Sequence, residues 1–462
     1  MKLKYISIAL YLALTSIIIA SPGLYNGYPV MHFDSAHYIT QSISLEDASV
    51  TPIGYSLFIR AFSWQYTLWP VIFAQGLIIS LLIYLVYKSI FQEPNLILHH
   101  FISIIVLTFF TGMGWVASYI MADIFTPIAI LSLALFLSTR AKQSVKIISL
   151  IIIAFACTTH FSNSMIIAGL LIILFLLNFI IRLFPFRLFL WNSFLIIFVL
   201  IISFLFIKNY YWFAGQKEKP KSISHILIMA RLMETGILDE FLESHCEDNR
   251  FTLCYFKDKF PNIPPDFVWT KESPLFKTGG WNYSSEEYNE IIRQVFSDGY
   301  YIRLFAYKGL LSTFQQLATF RLTVIDLHDQ ASLNEIIHTK FKNEEKRFKM
   351  SIQHFKDKLD LSLLNTSYHI LFGLSLIILA LFFYKKYSRT NDDLKFIVVV
   401  VILGVILNAA ITGTFSNVVN RYQSRVNWLV IFISIMLFQK YFSEIIRFLW
   451  SIVTRKSEFG EN

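Results

Sequence analysis

Charge is what this sequence has least of. Only 15% of its residues are Asp, Glu, Lys or Arg, while 55% are hydrophobic. Ordinary soluble proteins carry about 25% charged residues. The shortfall excludes an ordinary soluble domain and points to a chain whose solvent is largely lipid. Cysteine is scarce too, three in 462 residues, and no pair has the spacing to a second pair that a zinc site requires. Acidic residues are outnumbered, 31 against 40 Lys and Arg, which gives a net charge of +9. The excess is no nucleic-acid patch. Segment 208–365 holds 21 basic and 21 acidic residues, so the whole +9 lies elsewhere, mostly as anchors beside apolar runs. Internal repeats and low-complexity tracts are absent.

What the chain does have is long apolar runs. A bilayer crossing needs about 20 helical residues. Ten runs qualify: 4–20, 66–87, 96–113, 116–138, 145–161, 164–181, 189–207, 367–384, 395–413 and 427–443. The expected fold class is therefore an all-α polytopic membrane protein with about ten transmembrane helices. The first run also has features of a signal peptide, with Lys2, Lys4, an apolar core and Ala20-Ser21. Residue 22 onward lies outside either way. With the N-terminus in the cytoplasm, sixteen Lys and Arg, from Lys2 to Lys456, fall at cytoplasmic ends. The short outer loops then hold only Arg60, Arg421 and Arg425. That bias places both termini in the cytoplasm.

Three parts follow. Residues 1–207 form a seven-span unit with a first outer loop at 21–65. Residues 208–365 form a mainly helical extracytoplasmic domain, and 366–462 a three-span unit. In the middle part, 222–245, 300–320 and 333–358 show helical spacing of apolar residues. Ser284 to Glu287 has capping-box spacing. The prolines of "FPNIPPDFVW" (260–269) predict an extended path there. Cys246 and Cys254, eight positions apart, close a disulfide if this part sits in an oxidising compartment and stay free thiols if it does not. Cys157 lies in an apolar run as a small core residue.

Ionisable groups near apolar runs are costly, hence informative. Here they share one side. Asp34 lies in the first outer loop, in "HFDSAHY" (32–38). Asp123 lies near the outer end of the fourth span, His160 at the outer turn after the fifth, and Arg421 and Arg425 at the outer entrance of the last. No acid or base is expected at mid-depth, which argues against a proton- or ion-coupled transporter. A carboxylate at the surface can take a proton from a hydroxyl as that hydroxyl attacks a sugar carbon. Arginine can hold a lipid-carrier phosphate with its fork of donors.

The order of these features resembles the GT-C glycosyltransferases, polytopic enzymes that use polyprenyl- or dolichyl-phosphate-linked sugars and include protein-mannosyltransferase-like architectures. The resemblance rests on Asp34-Ser35 with Tyr38, on "TPIGYSLFIRAF" (51–62) with Pro52, Gly54, Tyr55 and Phe58, on Asp123, and on Arg421-Tyr422. His160 stands where a basic residue often follows the fifth span, a departure if lysine is expected. The likeness covers about 1–185 well and 395–443 weakly; 208–365 is not covered. It implies Asp34 as the catalytic base or acceptor-orienting carboxylate. Asp123, with His32 and His37, would associate with acceptor or a divalent cation such as Mg or Mn. Arg421, Arg425 and His160 would bind the donor phosphate, and Tyr38 and Tyr55 would line the substrate. The implied partners are a polyprenyl-phosphate-linked sugar donor, a lipid, glycan or protein acceptor, and membrane lipids. The implied location is a bacterial inner membrane.

Each residue has a plainer reading. Asp34 could cap a helix beginning near Ser35. Asp123 could be a helix-terminal residue, and Arg421 and Arg425 interface anchors. His32 and His37 could be interfacial, since His-x-Asp-x-x-His matches no strong metal pattern, and His160 a polar turn residue. Tyr55 could simply pack. At the level of the whole chain, a flippase for lipid-linked saccharides and a non-catalytic scaffold are the alternatives. They separate on geometry: a scaffold would leave Asp34 and Asp123 on different surfaces.

Overall fold

The computed structural model describes residues 2–46, 51–91, 95–181, 185–218, 222–246, 251–281, 285–328, 330–355, 358–386 and 392–458. Among them there is no β-strand, and the fold is all-helical. The first unit comprises α1 (Lys2–Ile19), α2 (Ser21–Asn26), α3 (Phe33–Ser44), α4 (Gly54–Ser63), α5 (Trp69–Ile90), α6 (Leu96–Phe110), α7 (Met113–Ser118), α8 (Phe125–Leu137), α9 (Gln143–Thr159), α10 (Phe161–Ile181) and α11 (Phe186–Phe213). The middle segment holds α12 (Ser224–Glu234), α13 (Ile237–His245), α14 (Pro264–Trp269), α15 (Pro274–Lys277), α16 (Ser285–Val295), α17 (Gly299–Ala318), α18 (Ala331–Lys340) and α19 (Glu345–Lys349). Last come α20 (Ser362–Leu381), α21 (Asp392–Phe415) and α22 (Asn420–Glu458).

Five helices are long and apolar enough to cross a membrane: α5, α10, α11, α20 with the turn after it, and α21. Four more of the expected runs form shorter apolar helices, in α1, α6, α8 and α9. The remaining run, 427–443, lies inside the 39-residue α22. These helices make the chain a helical membrane protein.

The run 116–138 is not one helix. It breaks between α7 and α8, where the chain runs extended at Tyr119 and Met121 before a single 3-10 turn, Ala122–Ile124. Pro127, in the first turn of α8, has no N–H for the Asp123 carbonyl and so disfavours a helix running through 123. Partners from elsewhere stabilise the break. Val30 pairs with the strand-like stretch, its N–H donating to the Ser118 carbonyl (2.9 Å) and its carbonyl accepting from Ile120 N–H (2.9 Å). The Gln75 amide donates to the carbonyls of Ala117 (2.7 Å) and Tyr119 (3.0 Å), and Ser35 Oγ to that of Ile120 (2.9 Å). Buried irregular backbone persists only where the protein satisfies its polar groups in this way. The break sets Asp123 at the head of α8.

Three expectations for the middle segment change. The pattern over 222–245 divides into α12 and α13 at Gly236, whose φ of 75° suits glycine. The expected extended path over 260–269 contains α14, because Pro264 and Pro265 occupy a first turn, where no N–H is needed. The pattern over 333–358 gives α18, α19 and a short 3-10 turn rather than one helix. Ser284, proposed for the capping box, lies outside the described residues.

Residues 208–365 contribute to two cores. Ile226, Met229, Leu238, Phe241, Phe267 and Ile291 form one of their own; each such side chain contributes about 1.5–3 kcal/mol by leaving water. Cys246 and Cys254 lie against it, at disulfide distance (Sγ–Sγ 2.03 Å). Phe320, Leu322, Leu327, Ile337, Phe341 and Phe348 belong instead to the core of the helix bundle. Two buried side chains lock this second part onto the loop after α2 and the turn before α5. Glu344 accepts from Tyr28 Oη (2.8 Å), Thr67 Oγ1 (2.6 Å) and Leu68 N–H (3.1 Å). Gln353 bonds both the N–H (3.0 Å) and the carbonyl (2.7 Å) of Met31 and donates to the Ile325 carbonyl (3.0 Å). The two cores are joined by Arg231 of α12. Buried, it donates to the last carbonyls of α21, Gly413 (2.6 Å) and Thr414 (3.0 Å), and to Ser312 Oγ (2.6 Å). A cation there also suits the negative end of the helix dipole.

Candidate functional site

Five elements bring their ends together at one end of the bundle: the start of α3, the break before α8, the turn between α9 and α10, the segment after α17, and the start of α22. Arg421 and Arg425 sit one turn apart at the start of α22, so both guanidinium groups face the same space. Arg425 is fully buried. Its Nη1 donates to Asp123 Oδ1 (2.8 Å) and its Nη2 to Asn408 Oδ1 (2.9 Å) and Ser162 Oγ (3.3 Å). Its Nε also reaches Asn408 Oδ1 (3.3 Å). Asn408 is fixed in turn by donating to the Tyr422 carbonyl (2.7 Å) and to Gln423 Oε1 (3.0 Å).

Arg421 is the more open of the two. Its Nη1 donates to Asp34 Oδ2 (2.8 Å), contacts His32 Nδ1 (3.1 Å), and stands 3.9 Å from Asp123 Oδ2. Its Nη2 and Nε make no hydrogen bond among the described residues. The Asp34 side chain is 47% exposed and that of Arg421 28%, against 8% for Asp123. Tyr422 lies beneath both cations, each guanidinium carbon 5.3 Å from its ring centre. Asp34 and Asp123, which sequence places 89 positions apart, therefore share one guanidinium.

Asp34 is not the cap of its helix. The N-cap is His32, whose N–H donates to Ser35 Oγ (2.8 Å), and Asp34 stands within the first turn. That turn already favours a negative charge. Burial pushes the Asp34 carboxyl up, but Arg421 and His32 outweigh it and hold it below the ordinary 3.8. It is ionised at neutral pH. Burial, helped by Arg421, pushes the His32 imidazole down to about 4, so it is neutral there. Its Nδ1 thus acts as a hydrogen-bond acceptor for Arg421.

A cavity of about 30 Å³ lies among His32, Tyr119, Met121, Asp123, Arg321, Leu322, Thr323, Arg421 and Arg425. It has room for about two waters. Two carboxylates and two guanidinium groups make the cluster neutral; Arg321, exposed at the rim, adds one positive charge. The position between the carboxylates is filled by Arg421, and no group of three His, Cys, Asp or Glu side chains converges among the described residues.

The other candidates fall around this centre. His160 is one bond removed: its Nδ1 meets Ser162 Oγ (2.8 Å), which accepts from Arg425. His37 is half-buried on α3, off the cavity lining, and its Nε2 has no hydrogen-bond partner among the described residues. Tyr38 and Tyr55 are buried and pack edge to face (5.0 Å), with the Tyr55 hydroxyl donating to Gln75 Oε1 (2.7 Å). They stand behind the site, steadying the amide that holds the break. Sequence reasoning missed Asn408, Ser162, Gln75 and Arg321. Asn408 and Gln75 carried a signal, since each is a polar amide inside an apolar run. Arg321 carried none, being one of many cations in its segment. No family model, curated protein or solved structure matches this chain.

Proposed function

We propose that the chain is a GT-C-type membrane glycosyltransferase. In this reading it has ten spans, both termini in the cytoplasm of a bacterial cell, and the site on the outer face of the inner membrane. It moves a sugar from a polyprenyl-phosphate carrier to an envelope acceptor. The observation that carries the reading is the convergence of Asp34, Asp123, Arg421 and Arg425 from three distant parts of the chain, the last three lining one cavity and Asp34 joined to it through Arg421.

The roles follow from exposure. Arg425 is fully buried, held by four hydrogen bonds, and positions Asp123. Arg421, whose Nη2–Nε edge is open, and Arg321 at the rim bind the carrier phosphate. The acceptor hydroxyl attacks the anomeric carbon and gives its proton to Asp34. The bond from that carbon to the phosphate oxygen breaks, the phosphate keeps the electron pair, and the sugar inverts. The cavity is too small for a sugar phosphate, so in this reading the exposed rim side chains of Arg321 and Thr323 swing outward as donor enters.

The test is transfer by the purified protein from labelled polyprenyl-phosphate sugars. A positioned base is worth roughly 10²–10⁴-fold in rate, so Asp34→Asn is expected to lower turnover by that factor. Turnover at the wild-type rate in Asp34→Asn removes the base assignment. Absence of sugar transfer by the intact protein across the common lipid-phosphate sugars removes the function.

A further inference from the structure

We infer that α17 lies in the membrane interface and that its exposed face, through Tyr307, Leu310 and Phe314, contacts lipid. This departs from the sequence reading, which set all of 208–365 outside the membrane, and it does not depend on the reaction proposed above.

The three residues are spaced three and four apart, so they line one face of the helix. Each is more than half exposed, Phe314 at 63%. A helix in a water-facing domain does not ordinarily present such a stripe. Rotation cannot hide it, because the opposite face is fixed. Gly309 is set so closely on α21 that an added Cβ would come within 2.9 Å of Thr414, and a Cβ on Gly413 within 2.8 Å of the Ser312 carbonyl. Close backbone contact through small residues is how membrane helices pair. Gln316 completes the attachment, accepting from Val419 N–H (3.0 Å) and donating to the Val419 carbonyl (2.9 Å).

The partner helix argues for lipid as the occupant. α21 is one of the five helices long and apolar enough to cross a membrane. Phe415, at its end, is itself exposed, and its ring lies 6.2 Å from that of Phe305 on α17. Phe305 lies on the packed face of α17 with Gly309 and Gln316, so α17 is seated against the end of a membrane span. α17 is not apolar enough to cross by itself. Arg303 shares its exposed face near the N-terminal end, where a long cationic side chain can reach the headgroups. Tyr300 and Tyr307 are the residue type that interfaces favour. A helix seated against the end of a span, with this face towards lipid, meets these conditions. It leads directly to Arg321, Leu322 and Thr323, and so sets the rim of the cavity at headgroup depth.

The full-length protein tests this. Cys157 is buried and Cys246 is paired with Cys254, so one introduced cysteine takes a nitroxide label selectively. Tyr307→Cys, Leu310→Cys and Phe314→Cys are compared in phospholipid vesicles with two references. Ile370→Cys is exposed on α20, and Tyr255→Cys is exposed beside the separate core of the middle segment. Collision with oxygen reports lipid, and collision with a water-soluble nickel complex reports water. The expected result is a preference for oxygen at 307, 310 and 314, as at 370, with the opposite preference at 255. A preference for nickel at 310 and 314 overturns the inference. So does shielding from both reagents, which would mark a protein partner or a second copy. Because the three α17 positions are independent, failure of one variant to fold leaves two to decide.

Discussion

The mouth and the floor of the cavity are built from the same parts. Each pairs an arginine of α22 with an aspartate at 2.8 Å. On the floor, Arg425 and Asp123 are sealed from solvent, and every donor of the guanidinium is used or enclosed. At the mouth, Arg421 and Asp34 are partly open and one edge of the guanidinium is free. Equal distances therefore conceal unequal energetics. Breaking a buried pair strands a charge and costs about 3–5 kcal/mol, whereas an exposed pair contributes about 0–1 kcal/mol. The floor holds the site together, and the mouth is where chemistry can happen without unfolding it.

The largest expected effect attacks the floor. Asp123→Ala leaves the Arg425 charge buried and unpaired, so unfolding in detergent should lose about 3–5 kcal/mol. Replacing both partners with apolar residues, Asp123→Leu with Arg425→Met, should restore most of that loss, since no charge is then stranded. A wild-type melting curve for Asp123→Ala would show that water reaches the floor, and the contrast with the mouth would collapse.

A smaller effect tests the packing beside the floor. Gly54, in the stretch "TPIGYSLF", is where α4 crosses α9, and an added Cβ would overlap the hydroxyl and carbonyl of Thr158. Thr158 lies two residues before His160. Backbone must move to admit even alanine, so Gly54→Ala should cost about 1–3 kcal/mol. At the mouth, by contrast, Arg421→Ala and Asp34→Asn should each shift stability by no more than about 1 kcal/mol. If Arg421→Ala destabilises as much as Asp123→Ala, the two regions are one rigid network.

How much of this was legible beforehand depended on what caused each feature. Apolar runs produce helices locally, so eight of the ten expected runs appear as apolar helices and 427–443 lies inside α22; the exception, 116–138, breaks under tertiary control. Pro127 marks where α8 can begin, but the extended stretch at Tyr119–Met121 exists because Val30 and Gln75 supply hydrogen bonds from far along the chain. The prolines at 264 and 265 misled in the other direction, since residues that stop a helix in its interior also start one. At the site, ionisable groups beside apolar runs stood out, and Asp34, Asp123, Arg421 and Arg425 do meet. Neutral partners did not stand out in the same way, although Asn408 does as much as Asp123 to fix Arg425.

The smallest effect sharpens the mouth through pH. His32 resists protonation in the folded protein down to about 4, against an ordinary 6.5, because burial and Arg421 disfavour a second cation beside the guanidinium. The unfolded chain has no such neighbours and takes up its proton near 6.5. Between those values the unfolded state binds more protons, so folding stability is complete above about 6.5 and is lost as pH falls towards 4. Asp34, also held low, acts in the same direction but only below its ordinary 3.8, so it does not contribute in the His32 window. His37 is pushed down by burial and adds a slope of the same sign. The informative quantity is therefore the difference between wild type and His32→Gln. Glutamine keeps a hydrogen-bond acceptor for Arg421 but cannot titrate. With solvent reaching the mouth, the difference should be roughly 1 kcal/mol across the window. It should vanish above pH 6.5 and grow as the solution is acidified. Parallel curves for the two proteins from neutral pH down to 4 would mean that His32 feels neither burial nor Arg421, and the mouth would then be more open than its hydrogen bonds imply.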